Sequence, residues 1–203
     1  WVITNKEKII RITKQLKSSF ILILLFCLFF STNSMSKKYV LDDQTNPGTT
    51  SQGERWTFIT DGVMGGLSQG RANITLEDNT PCYKMIGDVT TKNNGGFIQI
   101  RTLLFPYIEV NNFKGLYIKA KGNNKNYALH IRTSLSLGYW QYYSYSFFLE
   151  NNFVEIKIPF PDFKKSNFSQ PNELSNQSIK SIGLVAGFDD FYADICLSEI
   201  GFY

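Results

Sequence analysis

The chain is predicted to be all-β, a two-sheet antiparallel β-sandwich of the jelly-roll kind, and three observations predict it. Aromatic residues make up 15% of its 203 residues, with 17 Phe and 11 Tyr, against 19% charged. That composition suits pleated, half-buried surfaces better than amphipathic helices. From Trp56 onward short apolar runs alternate with turn residues, the pattern of sandwiches and barrels. No long helical periodicity and no βαβ unit is visible, so the strands pack most simply as two facing sheets.

The first element, 1–34, is expected to be a signal peptide or an N-terminal membrane anchor. Lys6, Lys8, Arg11, Lys14 and Lys17 precede the apolar run 20–30, which is followed by Ser31-Thr32-Asn33-Ser34. The run has a signal peptide's length and is short of the roughly 20 residues that span a bilayer. Export to a periplasm or cell envelope follows from this reading. Translation from Met35 would instead leave a cytoplasmic protein, and a eukaryotic source would allow a mitochondrial one. The five basic residues against Glu7 account for the whole formal charge of +4, so the remainder is formally neutral. A neutral domain lacks the electrostatic term behind most nucleic-acid affinity, and no nucleic-acid partner is expected.

Residues 35–55 are polar, carry Asn46-Pro47-Gly48 and a Thr/Ser cluster, and are expected to be a linker. A single domain is expected over 56–203, with strands at 72–77, 82–89, 96–103, 115–121, 127–133, 140–148, 153–158, 181–187 and 193–202. In 115–121, Leu116, Ile118 and Ala120 share one face while Tyr117, Lys119 and Lys121 share the other, so one face is core and one wet. In 153–158, Val154, Ile156 and Ile158 alternate with Glu155 and Lys157 in the same way. Turn-rich joints at 77–81, 121–124 and 150–152 separate the strands. Cys82 and Cys196 lie in strand-like runs; they are read as buried reduced thiols, with pairing open in an oxidising compartment.

The most distinctive segment is Asp61-Gly62-Val63-Met64-Gly65-Gly66-Leu67-Ser68. It lacks the Gly-Lys-Ser/Thr ending and the following helix of a phosphate loop, and reads as a tight crossover packed under the sandwich. A second glycine pair, Asn94-Gly95-Gly96-Phe97, is expected to turn a hairpin into a strand that places Phe97, Gln99 and Arg101 on one face. Arg101 is expected to pair with a carboxylate such as Asp61 or Asp88.

These residues resemble the complex I intermediate-associated protein 30 family. The resemblance rests on the ordered series formed by the Asp61–Ser68 segment, Gly95-Gly96-Phe97 with Arg101, 115–122, Tyr127 with Arg132, Tyr143-Ser144-Tyr145, 154–160, Ile182-Gly183-Leu184 and 200–203. It implies a galactose-binding-like jelly roll related in shape to carbohydrate-binding modules. It assigns Asp61, Met64, Gly65, Gly66, Ser68, Gly95, Gly96, Phe97 and Arg101 to the family's structural motif, and it carries no catalytic residues. Mitochondrial members assist respiratory complex I assembly by holding membrane-arm intermediates, which implies a membrane-associated protein partner. The export-type leader departs from an Arg- and Ser-rich mitochondrial presequence.

The contact surface is expected on the aromatic stretch 138–148 and beside the lone histidine. On a strand, Tyr139, Gln141, Tyr143, Tyr145 and Phe147 fall on one face, and Trp140, Tyr142, Ser144, Ser146 and Phe148 on the other. Tyr139, Trp140, Tyr142, Tyr143 and Tyr145 are therefore candidate binding residues, for a protein partner or for a glycan stacked on their rings. His130 shares a face with Ala128 and Arg132, which makes His130 and Arg132 candidate groove residues. No nucleophile elbow, zinc spacing or opposed carboxylate pair is present. The function expected is that of a non-catalytic assembly factor that holds a protein partner, of respiratory complex I or another membrane complex, with a carbohydrate-binding module using the aromatic strand face as the alternative, and without a cofactor or metal.

Overall fold

The computed structural model describes residues 38–203, so the leader expected over 1–34 lies outside the described residues. Within them, twelve strands form two antiparallel sheets. The first sheet holds β1 (Tyr39–Asp42), β3 (Gln69–Glu77), β4 (Thr80–Val89), β6 (Gly115–Lys121), β9 (Val154–Pro159) and β12 (Phe191–Phe202). Its order is β3-β4-β12-β6-β9, with β1 paired to the end of β12. The second holds β2 (Thr57–Thr60), β5 (Phe97–Glu109), β7 (Lys125–Thr133), β8 (Tyr143–Leu149), β10 (Lys164–Lys165) and β11 (Ser178–Gly187), in the order β10-β8-β7-β11-β5-β2.

Apolar inner faces make the core. Ile98, Ile100, Leu129, Ile131, Ile182 and Leu184 of the second sheet and Met85, Leu116, Ile118, Ile158, Ile195 and Leu197 of the first belong to one buried cluster. Each such side chain contributes about 1.5–3 kcal/mol through removal from water. The expected alternation holds in β9. In β6 it fails at one residue, because Tyr117 is buried rather than wet. Its hydroxyl donates to Glu199 at 2.8 Å, and the Lys38 amine lies 4.0 Å from its ring centroid.

Residues 35–55, expected as a linker, contribute β1. Leu41 is fully buried, and the Trp56 indole donates to the buried Asp42 carboxylate at 2.5 Å. Four residues are too few to show a period, and their partner is at the far end of the sequence, Tyr39 opposite Phe202.

The chain repeatedly changes sheet, as between β2 and β3, β4 and β5, β6 and β7, and β8 and β9. Asn94-Gly95 is therefore a crossover from β4 to β5, and not the hairpin turn expected. The β3–β4 joint is a two-residue hairpin with positive φ at Asp78 and Asn79, as primed turns require. Cys82 on β4 and Cys196 on β12, read from sequence as reduced thiols, form a disulfide with Cα atoms 5.5 Å apart.

Candidate functional site

The outer face of the second sheet is built by strand register. Arg101 on β5 lies opposite Gly183 on β11, Gly183 opposite His130 on β7, and His130 opposite Ser144 on β8. One step along, Gln99 is opposite Val185; one step the other way, Ser181 is opposite Arg132. Because side chains alternate, these residues point away from the core. Gly183 keeps the floor low: a Cβ there would come within 2.9 Å of the Gln99 amide oxygen.

Loops raise walls around this floor and enclose a groove of about 920 Å³. One wall is Val63 and Met64, on a short 3-10 turn (Asp61–Met64) between β2 and β3. Another is Phe188, 63% exposed, in the β11–β12 turn. The third is the loop before β8, with Tyr139 and Trp140 packed edge to face at 4.9 Å and 70% and 54% exposed. Tyr142 covers His130, the two rings stacked 4.0 Å apart with planes 14° from parallel.

The loop at 134–142 stays out of the β ladder because side chains satisfy its backbone. Arg132 Nη2 donates to the Gly138 carbonyl at 2.8 Å, and the Gln141 side-chain oxygen accepts the Leu137 and Gly138 N–H groups at 2.7 and 3.0 Å. The Ser166 hydroxyl donates to the Trp140 carbonyl at 2.6 Å. Arg132 thus both lines the groove and fixes the loop that carries its aromatic wall.

The groove is cationic. Its lining contains Arg101 and Arg132 and no Asp or Glu. Burial, and then the adjacent Arg101 charge, hold the Arg132 guanidinium below its usual range. Burial also pushes the His130 imidazole down to about 4, so it is neutral at pH 7. Among the described residues neither His130 Nε2 nor Arg132 Nε has a hydrogen-bond partner.

Asp61 organises the adjoining corner. Its fully buried carboxylate accepts the Ser68 hydroxyl at 2.5 Å and the N–H groups of Ser68, Gly96 and Phe97 at 3.0, 2.6 and 3.3 Å. Burial acts to raise its pKa, but these bonds outweigh burial and hold it below the ordinary carboxylate value. A Cβ at Gly66 or Gly95 would overlap this carboxylate, and Gly65 closes the turn at φ +88°. The glycine motifs are therefore two loops folded onto one buried anion. Met64, Phe97 and Arg101 are the motif residues whose side chains line the groove.

Of the residues singled out in the sequence, His130, Arg132, Tyr139, Trp140, Tyr142, Arg101, Met64, Gly95, Gly96 and Phe97 meet at this groove. Tyr143 and Tyr145 do not. Tyr143 is 1% exposed and bonds to Pro171 and Gln177, while Tyr145 packs on the core beside Phe163. β8 begins only at Tyr143, so Tyr139 and Trp140 ride a loop rather than a strand face. Arg101 is not paired with Asp61 or Asp88; backbone donors occupy Asp61. Phe188, Ser181, Gly183 and Val185 were not singled out as site residues, although the alternation in β11 marks the last three as sharing a face. Among the described residues no three His, Cys, Asp or Glu side chains are gathered as for a metal ion.

A family model described as complex I intermediate-associated protein 30 matches residues 36–198. No curated protein sequence matches the chain. Among solved structures, the family 11 carbohydrate-binding module of a cellulosomal cellulase of Clostridium thermocellum is similar at 16% identity. It covers 83% of this chain and 95% of its own, with a TM-score of 0.66. A family 11 module from the same organism, in complex with a β-1,3-1,4-mixed-linked tetrasaccharide, is similar at 16% identity over 83% and 96%, with a TM-score of 0.65. An agarase is similar at 11% identity over 82% of this chain and 24% of its own, with a TM-score of 0.54. At these identities the likeness is one of fold.

Proposed function

The chain belongs to the complex I intermediate-associated protein 30 family, and from that premise we propose that it is a non-catalytic binding domain whose ligand lies in the outer-face groove. The reading that the geometry supports best is a glycan chain. The observation that carries it is the combination of exposed Tyr139 and Trp140, the Tyr142–His130 stack and guanidinium donors around one open floor. Sugar rings offer apolar C–H faces to aromatic rings and a rim of hydroxyls to fixed polar groups, and a groove of this size suits an oligosaccharide rather than a bulky globular surface. The similar module that holds a mixed-linked tetrasaccharide supports this use of the fold.

The direct test is a glycan array followed by titration monitored by tryptophan fluorescence. A ligand that seats on Trp140 shifts its emission, and Trp140→Ala abolishes the shift while leaving the fold intact. The absence of any response across neutral and charged glycans removes the reading.

The family's description favours a second reading, in which the domain holds a protein partner during assembly of respiratory complex I or another membrane complex. An extended segment of that partner would then occupy the groove, with the aromatic wall as its anchor. Crosslinking followed by affinity purification tests it: a defined membrane-protein partner, lost in Trp140→Ala, is the expected result. The Cys82–Cys196 disulfide favours an oxidising compartment, in keeping with export to a periplasm or cell envelope.

A further inference from the structure

We propose that the groove selects a negatively charged polysaccharide, a chain containing uronic acid units, with one carboxylate held between Arg101 and Arg132. The inference rests on the glycan reading above and names the class of glycan.

Arg101 on β5 and Arg132 on β7 flank β11 and line the same groove, where the charge of one acts on the other; proteins ordinarily relieve such repulsion with a nearby Asp or Glu. The relief is missing here. Among the described residues every ion pair is formed by Lys38, Lys84, Lys121 or Lys157, and neither Arg101 nor Arg132 takes part. The groove lining has no acidic residue at all. The one nearby carboxylate that sequence suggested for Arg101, Asp61, is sealed behind Gly66 and Gly95 with four donors of its own.

A third cation adds to the same field. Lys180 on β11 donates to the Ser136 carbonyl at 2.6 Å, and burial together with the Arg132 charge hold its amine below the usual lysine range. Arg132 spends one donor on the Gly138 carbonyl, while its buried Nε has no partner in the protein. The local chemistry is thus positive charge with unspent donors beside stacked aromatic rings.

A uronate matches each part. Its carboxylate takes the planar fork of a guanidinium with two parallel N–H bonds, and neutralises the Arg101–Arg132 repulsion. The pyranose rings on either side of it lie on Tyr139, Trp140 and Tyr142. A neutral glucan would satisfy the rings and leave the two charges without a counter-charge. An acidic peptide would satisfy the charges but offers no flat saturated ring to the aromatic wall.

The test uses the full chain and four probes in isothermal titration: tetragalacturonate, a neutral mixed-linked β-glucan tetrasaccharide, dextran sulfate and a hexaglutamate peptide. Tetragalacturonate is expected to bind tightest and to lose about tenfold or more in affinity when NaCl rises from 50 to 500 mM, as charge pairing at a partly exposed site requires. Arg101→Gln and Arg132→Gln are each expected to weaken it about tenfold or more. Arg101→Lys, which keeps charge but loses the fork, should restore only part of the loss. Circular dichroism melts identify any variant that misfolds, and Arg101→Gln, remote from the 134–142 loop, serves if Arg132→Gln does.

Equal binding of the neutral tetrasaccharide, unchanged by Arg101→Gln, overturns the uronate inference while the glycan reading stands. Binding of dextran sulfate and hexaglutamate as tightly as tetragalacturonate reduces the site to unspecific cation exchange and also overturns it. Hexaglutamate alone overturns it in favour of an acidic protein segment. No binding of any saccharide to the folded protein overturns the glycan reading itself.

Discussion

Removing the Asp61 carboxylate should cost the domain a large part of its stability without touching the groove floor. In the folded protein this carboxylate accepts four hydrogen bonds, three of them from backbone N–H groups in two different loops, and it is fully buried. In Asp61→Ala these donors lose their acceptor. If two of them stay dry, at about 1–3 kcal/mol for each unsatisfied buried group, the loss is about 4 kcal/mol. For a domain of this size that corresponds to a fall in Tm of about 8–16 °C. Asp61→Asn keeps one acceptor oxygen but turns an NH2 group toward N–H donors, so about 2–3 kcal/mol is expected. Urea denaturation followed by circular dichroism measures both.

The pH dependence adds a second readout. The folded-state pKa of Asp61 is held below the ordinary aspartate value of 3.8. Its stabilisation is therefore complete above the unfolded carboxyl's pKa and disappears as pH falls through the folded value. The gap between wild type and Asp61→Asn should begin to narrow below about pH 4 and close as pH falls through the folded value. An Asp61→Asn protein within about 0.5 kcal/mol of wild type at pH 7 would refute the hub, as would a gap between them that is independent of pH.

Three further outcomes are expected. His130 has its pKa lowered from 6.5 to about 4 by burial, so between those values the unfolded chain binds a proton that the folded one does not; stability falls by up to about 3 kcal/mol as pH drops through that window, His130→Gln flattens the slope, and an imidazole titrating near 6.5 by NMR would contradict it. Phe188 stands at φ +72° with its ring exposed, so Phe188→Gly should gain up to about 1 kcal/mol in denaturation while weakening any ligand bound in the groove. Reducing the Cys82–Cys196 bridge, which closes a separation of 114 residues, should lower stability by about 2–4 kcal/mol. An unreduced chain in which Cys82 and Cys196 take up thiol reagent along with Cys27 under denaturing conditions, three equivalents and not one, would show the bridge absent.

Local alternation made much of the sandwich legible. β6 spans the very residues its period-two pattern marks, and Val154, Ile156 and Ile158 turn inward in β9 as their spacing demands. β1, β2 and β10 escaped, being four, four and two residues long, too short for a period to register. In the aromatic stretch the division of Tyr143, Tyr145 and Phe147 from Ser144, Ser146 and Phe148 is correct. Which side faces the core is set by β7 alongside, where Leu129 and Ile131 oppose Tyr145 and Tyr143. The position of Trp140 was hidden for another reason: its loop is held by side-chain bonds from Arg132, Gln141 and Ser166, and no periodicity encodes those. His130 and Arg132 were found because β7 alternates cleanly, whereas the meeting of Arg101 with them depends on β11 lying between β5 and β7.

The place of β12 in the first sheet governs when the domain can form. It sits between β4 and β6, holds β1 against its final residues, and supplies one half of the disulfide. A chain still lacking this strand has an incomplete first sheet, with β4 and β6 left as unpaired edges and the core of the second sheet open to water. The sandwich therefore cannot close until β12 has been made, and the strands before it must wait for it. During that interval the exposed edges are the chain's main hazard. A truncation that removes β12 should produce aggregation, not a smaller working domain.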